Sequence, residues 1–165
     1  MTVIRPATAA DAEAVVAIRI ANRKYFEPWE LSSDDPERWY TVKGVRAWLT
    51  DGRERFVILD SGEVAGLVSI TGVERDAFQS AMVSYFVDAA HTRRGLATAA
   101  VEAAAGFAFG ELGLHRLEAG TATANVASQR VLEKSHFTKV GLLRHHLRIG
   151  GEWVDHFLWE RLETD

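Results

Sequence analysis

The stretch from Ala81 to Gly113 constrains this chain more than any other. Ala81 to Val87 is a short apolar run of the kind that forms a buried strand. A polar connection follows, Asp88-Ala-Ala-His-Thr-Arg-Arg94. From Gly95 to Leu112, residues Leu96, Ala100, Val101, Ala104, Phe107, Ala108 and Leu112 then share one face of a long helix closed by Gly113. The first turn of such a helix carries unpaired N–H groups and the positive end of the dipole, which together favour an anion. Arg93 and Arg94 add charge there, while Gly95 and Ala97 leave the backbone open to close approach. It is no P-loop, because no Gly-Lys-Ser/Thr follows, and the chain has no Gly-x-Gly-x-x-Gly dinucleotide fingerprint. On these residues alone the junction reads equally as an anion site or as a plain turn with two solvated arginines.

The flanking sequence supplies the remaining elements. Val3 to Arg5 reads as a short strand. Thr8, three residues before Asp11, opens a helix in the manner of a capping box, and Val15, Val16, Ile18 and Ile20 carry it to about Lys24. Phe26 to Pro36 predicts a loop or broken helix, since proline cannot continue a hydrogen-bond ladder. A second helix starts near Pro36 with Trp39, Val42, Val45 and Leu49 at helical spacing. Phe56–Leu59 and Val64–Ile70 are joined by Ser61-Gly62 as a hairpin. Arg116 to Thr123 returns as a strand, Val126 to Lys134 is a short helix, and Phe137–Ile149 turns at Gly150-Gly151 into Glu152–Leu162. This order predicts one α/β domain over residues 1–165, built around a mixed sheet.

Composition narrows the function classes. With 47% hydrophobic residues, 25% charged residues and three prolines, the chain can build a core and is not a disordered tail. No run approaches the ~20 apolar residues of a membrane-spanning helix. The opening Met-Thr-Val-Ile-Arg-Pro lacks the basic and apolar regions of a secretory leader. A cytoplasmic protein with no membrane partner is expected. The absence of cysteine removes disulfides, a thiolate nucleophile and cysteine-based zinc sites. A net charge of −4 argues against nucleic acid as a partner.

That charge is unevenly placed. Phe26 to Glu37 holds Glu27, Glu30, Asp34, Asp35 and Glu37 with no base, whereas Arg130 to Arg148 holds Arg130, Lys134, Lys139, Arg144 and Arg148 against Glu133 alone. Either these are two solvated faces, or a cationic ligand lies near the first and an anionic one near the second. His136, His145, His146 and His156 do not predict a metal. Adjacent histidines on a strand point to opposite faces, and no carboxylate stands at a ligand spacing.

Four ordered segments carry a family resemblance. Thr92-Arg-Arg-Gly-Leu-Ala97 resembles motif A of the GCN5-related N-acetyltransferases (GNAT), Gln/Arg-x-x-Gly-x-Gly/Ala. Asn125-Val-Ala-Ser-Gln-Arg-Val-Leu-Glu-Lys-Ser-His-Phe137 is similar to that family's Asn-x-x-Ser-x-Arg-Val-Leu-Glu-Lys-x-Gly-Phe. Asn22-Arg-Lys-Tyr-Phe-Glu-Pro-Trp29 and Ile149-Gly-Gly-Glu-Trp-Val-Asp-His156 resemble the two ends of its RimJ/RimL branch, which acetylates ribosomal-protein N-termini. Thr92 and His136 depart from the pattern without touching the backbone cradle.

The resemblance implies the GNAT fold: a mixed, mostly antiparallel sheet of about seven strands with splayed central strands, and four helices. It implies acetyl-CoA as co-substrate and no metal. Backbone groups of Tyr85, Phe86 and Val87, on a strand expected to bulge, would pair with the pantetheine amides. N–H groups of Arg93, Arg94, Gly95, Leu96, Ala97 and Thr98 would hold the pyrophosphate, and the adenosine end would lie among Arg93, Arg94, Arg130 and Lys134. Asn125 would contact the cofactor or lock the strands, although it equally suits an N-cap. Ser128 is the catalytic candidate, its hydroxyl near the thioester sulfur, since all three tyrosines (Tyr25, Tyr40, Tyr85) precede this segment; a plain first-turn residue is the other reading.

The implied acceptor is an amine, foremost a protein N-terminus. A polyamine or aminoglycoside, or a CoA-binding module without turnover, are the alternatives, and the family admits a homodimer. The glutamate base of the RimL type is missing, its place falling on Leu147, so His146, Glu27 and Glu30 are the candidate bases. An α-amine, with a pKa of ~7.7–8.0 against ~10.4 for lysine, costs about 3–4 kcal/mol less to deprotonate. A site without a strong base therefore favours an N-terminus.

Overall fold

The computed structural model describes residues 3–165; Met1 and Thr2, part of the stretch read for a leader, lie outside the described residues. Seven strands form one sheet: β1 (Ile4–Pro6), β2 (Glu54–Asp60), β3 (Glu63–Glu74), β4 (Ser80–Val87), β5 (Arg116–Ala122), β6 (Thr138–Ile149) and β7 (Glu152–Leu162). Their spatial order is β1-β2-β3-β4-β5-β7-β6. Every neighbouring pair is antiparallel except β4 and β5. Five α-helices accompany them, α1 (Ala12–Ala21), α2 (Arg23–Phe26), α3 (Val42–Leu49), α4 (Leu96–Gly110) and α5 (Val126–Lys134), one more than the four expected. The extra helix arises because Asn22 breaks the first helical stretch, and a single turn resumes at Arg23 before Pro28.

Alternation along β2 and β3 sorts the core into two layers. Val57 and Leu67 face Ala12, Val15, Val16, Val45 and Leu49 of the α1–α3 side. Phe56, Ile58, Val68 and Ile70 face the opposite layer, where Ala100, Val101, Ala104, Ala105 and Ala108 of α4 are fully buried. The alanine stripe lets α4 lie close to the sheet along the strand that feeds it. At the other layer, the Arg5 guanidinium binds the buried Asp11 carboxylate at 2.6 and 2.9 Å. That bond, with the Thr8 backbone N–H at 2.7 Å, holds the Asp11 carboxyl down at about 2 and fixes the start of α1.

The central strands open as expected, by a different route. β4 and β5 pair only at Ser80–Arg116, Ala81–Leu117 and Met82–Glu118. Beyond Met82 the strands part, and among the described residues the β4 edge from Val83 to Val87 has no strand partner on that side. The expected bulge at Tyr85–Val87 is absent: β4 stays in register with β3 from Thr71–Met82 to Gly66–Val87. Gly66 permits this close pairing, since a Cβ there would stand 2.3 Å from the Phe86 carbonyl. The opening therefore comes from β5, which pairs with β7 along its whole length on one edge but turns away from β4 on the other after Glu118.

Candidate active site

Three structural units converge where β4 and β5 diverge. The first is the turn into α4. Arg93 and Gly95 both take positive φ, +63° and +77°, so the chain curls and aims successive N–H groups to one side. Ala99 is the first amide of the helix with a main-chain partner, donating to the Gly95 carbonyl at 3.0 Å; the amides from Arg93 to Thr98 have none among the described residues. Nothing lies within 4 Å of the position a Cβ would take on Gly95, so the concave side is open. Six unsatisfied donors around an open hollow at a 15-residue helix's positive end fit a diphosphate. The two arginines differ. Arg94 is ion-paired with Asp60, while Arg93 makes no ion pair among the described residues.

This turn is braced from α1. Asn22, 5% exposed, donates to Asp88 Oδ1 at 2.9 Å and to the Ile18 carbonyl at 2.8 Å, and accepts from the Ala89 N–H at 3.0 Å. Asp88 in turn accepts from the Ala90 N–H at 3.1 Å. One amide side chain thus ties the helix that carries the acidic loop to the turn that leads into α4.

The second unit is the start of α5. Asn125 Oδ1 accepts from the Ser128 N–H at 3.1 Å, an N-cap that engages its side chain within the helix. Ser128 lies in the first turn, and its Oγ is 2.7 Å from the Tyr85 hydroxyl of β4. Sequence reasoning assigned Tyr85 a backbone role only. The structure brings its phenol across the gap between the parting strands. Burial pushes that phenol up to about 12, with the bond to Ser128 working the other way.

The third unit is a cleft of about 690 Å³ between the 26–40 segment and the β3–β4 surface. Phe26, Trp29, Trp39, Trp48 and Phe86 supply apolar walls, and Glu30, Asp34 and Asp35 the acids. Leu31 bridges to Ile149, and the Ser32 N–H donates to the Arg148 carbonyl at 2.8 Å, so the loop is pinned to the β6–β7 hairpin. At its centre Arg19 is surrounded by four rings, its Cζ 5.3 Å from the Tyr40 centroid, 5.7 Å from Trp39 and Phe86, and 5.9 Å from Phe26. Glu30 is bound by Arg19 and accepts from the Tyr40 hydroxyl at 2.7 Å. Burial, followed by this bond, raises the Tyr40 phenol.

Glu30 thus reaches the cleft with its carboxylate already engaged. Glu27 lies beside a neighbouring hollow lined by Ile20, Lys24 and Tyr40. His146 is exposed and packs on His156, ring centroids 5.7 Å apart, away from the lining of the cleft. Strand alternation does not hold here. β6 shifts register between Leu143 and Leu147, and His145 takes φ +47°. Arg130 and Lys134 are exposed on α5. Arg19 was overlooked in the sequence, though its position four residues after Val15, on the core-facing stripe, is the signal that could have found it.

Comparison with known proteins is consistent across the chain. Residues 2–138 match the acetyltransferase (GNAT) domain family. The "Probable N-acetyltransferase YjcK" of Bacillus subtilis is 37% identical, with 98% of this chain and 94% of the relative covered. The structure of Mycobacterium smegmatis RimJ in complex with CoA-disulfide superposes with a TM-score of 0.88 at 34% identity, covering 98% of this chain and 81% of that one. The ribosomal-protein-S5-alanine acetyltransferase of Vibrio fischeri gives a TM-score of 0.89 at 26% identity, over 98% and 93% of the two chains.

Proposed function

The chain belongs to the GNAT family of acetyltransferases, and from that premise we propose that it transfers acetyl from acetyl-CoA to the α-amine of a protein N-terminus. Acetyl-CoA supplies the activated acyl group as a thioester. In this reading residues 1–165 form one acetyltransferase domain. The amides of Arg93 to Thr98 bind the diphosphate, and the unpaired β4 edge at Tyr85, Phe86 and Val87 holds the pantetheine. Arg93 supplies charge beside the diphosphate, while Arg94 is shared with Asp60. Asn125 acts through the helix it caps, holding Ser128 at the mouth of the parted strands. Ser128 is the catalytic residue, its hydroxyl donating to the departing sulfur.

The observation that carries the acceptor class is the state of Glu30. Of the carboxylates that line the cleft, Glu30 is already bound by Arg19 and Tyr40, so it does not stand free as a base. An acceptor that is partly neutral at physiological pH needs none, and an α-amine is such an acceptor. The aromatic walls and the remaining acids, Asp34 and Asp35, suit a peptide with basic residues behind its terminus. RimJ and the S5-alanine enzyme, both similar over nearly the whole chain, support the same reading.

Thiol release from acetyl-CoA, measured against free and N-terminally blocked peptides, spermidine and an aminoglycoside, tests it. Turnover is expected with free N-termini, lost on blocking, and retained when internal lysines are blocked instead. Preference for spermidine would replace the peptide reading, because a polyamine also satisfies Asp34 and Asp35. Binding of CoA without turnover on any acceptor would leave a binding module in its place.

A further inference from the structure

Tyr85 belongs to both halves of the site. It is part of the lining of the acceptor cleft, and its ring packs on the α4 layer of the core. Its hydroxyl stands 2.7 Å from Ser128 Oγ and 3.3 Å from the Ser128 carbonyl, while the Ser128 N–H is taken by Asn125. Among the described residues no other group meets the Ser128 hydroxyl. A serine side chain has three staggered wells, and an unrestrained hydroxyl hydrogen rotates freely. Resting on the reading of Ser128 as donor to the departing sulfur, we propose that Tyr85 is a positioning residue whose phenol donates to Ser128 Oγ and turns the serine hydrogen toward the reacting group.

The direction of that bond follows from chemistry. A phenol donates better than an aliphatic hydroxyl and accepts less well. Of the two Ser128 oxygens near the phenol, Oγ at 2.7 Å is closer than the carbonyl at 3.3 Å, so the single phenol hydrogen goes to Oγ. The phenol stays protonated throughout the physiological range, because burial holds it up at about 12. With one lone pair of Oγ filled by Tyr85, the remaining hydrogen of Ser128 has the open space between β4 and β5 before it. No proton leaves the phenol; its work is orientation. The contact also ties β4 to the start of α5, the helix that follows β5, where β4 and β5 no longer pair.

Tyr85→Phe, Ser128→Ala and the double variant decide this, each assayed for kcat, for KM of acetyl-CoA and peptide, and for CoA affinity by calorimetry. Ser128→Ala is expected to lower kcat about a hundredfold, the lower end of what a positioned proton donor contributes. Tyr85→Phe is expected to lower kcat about tenfold, the worth of one hydrogen bond, with both KM values and CoA affinity unchanged. The double variant should match Ser128→Ala alone, because a positioning group has nothing left to position. A slow Ser128→Ala beside a full-rate Tyr85→Phe would overturn the positioning role and leave Ser128 standing. A full-rate Ser128→Ala would overturn both readings. Tyr85→Phe losses that multiply with Ser128→Ala, or that fall on CoA affinity, would show the phenol acting independently.

Discussion

Two units of the site, the turn into α4 and the 26–40 loop, are built from different materials. The turn at Arg93 to Thr98 works through main-chain amides and asks of the sequence only a glycine that tolerates φ +77° and a long helix behind it. The 26–40 loop works through side chains: Arg19 inside four aromatic rings, Glu30 bridged by Arg19 and Tyr40, and a pin to the β6–β7 hairpin. Backbone sites depend on conformation and accept many side chains. Side-chain sites depend on each neighbour and change with single substitutions. The first kind of construction suits a co-substrate that does not vary, and the second suits an acceptor that does.

Three variants probe that contrast. The largest effect is expected at Gly95→Val, where a branched side chain is placed at positive φ and its methyls enter the open hollow. Losing three or so hydrogen bonds to the diphosphate should weaken CoA binding at least about a hundredfold by calorimetry. Thermal melting should fall by several degrees, the cost of a branched residue held at positive φ; a variant that binds CoA normally breaks the backbone account.

Glu30→Ala comes next. It leaves the Arg19 guanidinium, only 11% exposed, without its carboxylate. A loss of about 2 kcal/mol in stability is expected, discounted from the buried-pair range because Glu30 is itself a quarter exposed. The KM for peptide should rise while CoA affinity holds. Equal damage to CoA affinity would show that the two sides are one coupled unit, joined through Asn22. The smallest effect belongs to Asp34→Asn with Asp35→Asn, both at exposed positions. The kcat/KM for basic peptides should fall about threefold to fivefold, and the difference should shrink in high salt.

Legibility followed the same division. The strand–turn–helix from Ala81 to Gly113 could be read directly, because apolar periodicity and a glycine are local signals, and α5 and β7 fell on their expected residues. The charge of the 26–37 segment was visible, but its meaning was not. Glu30 looked like a free acid until Arg19 and Tyr40, 11 and 10 residues away, were seen to occupy it. Tyr85 was read as a strand residue because its partner lies 43 positions on, across strands that do not pair there. The alternation read for His145 and His146 does not hold, because a shift of register interrupts β6 there.

What the sequence by itself determined is the order of strands and helices and the strand–turn–helix around Gly95, since both follow from short-range preferences: side-chain periodicity, capping and the steric freedom of glycine. Only the tertiary structure decided which polar side chains are engaged and which are free to act. Hydrogen bonding and ion pairing are settled by whichever groups the packed core brings within about 3 Å, and separation along the chain carries no information about that.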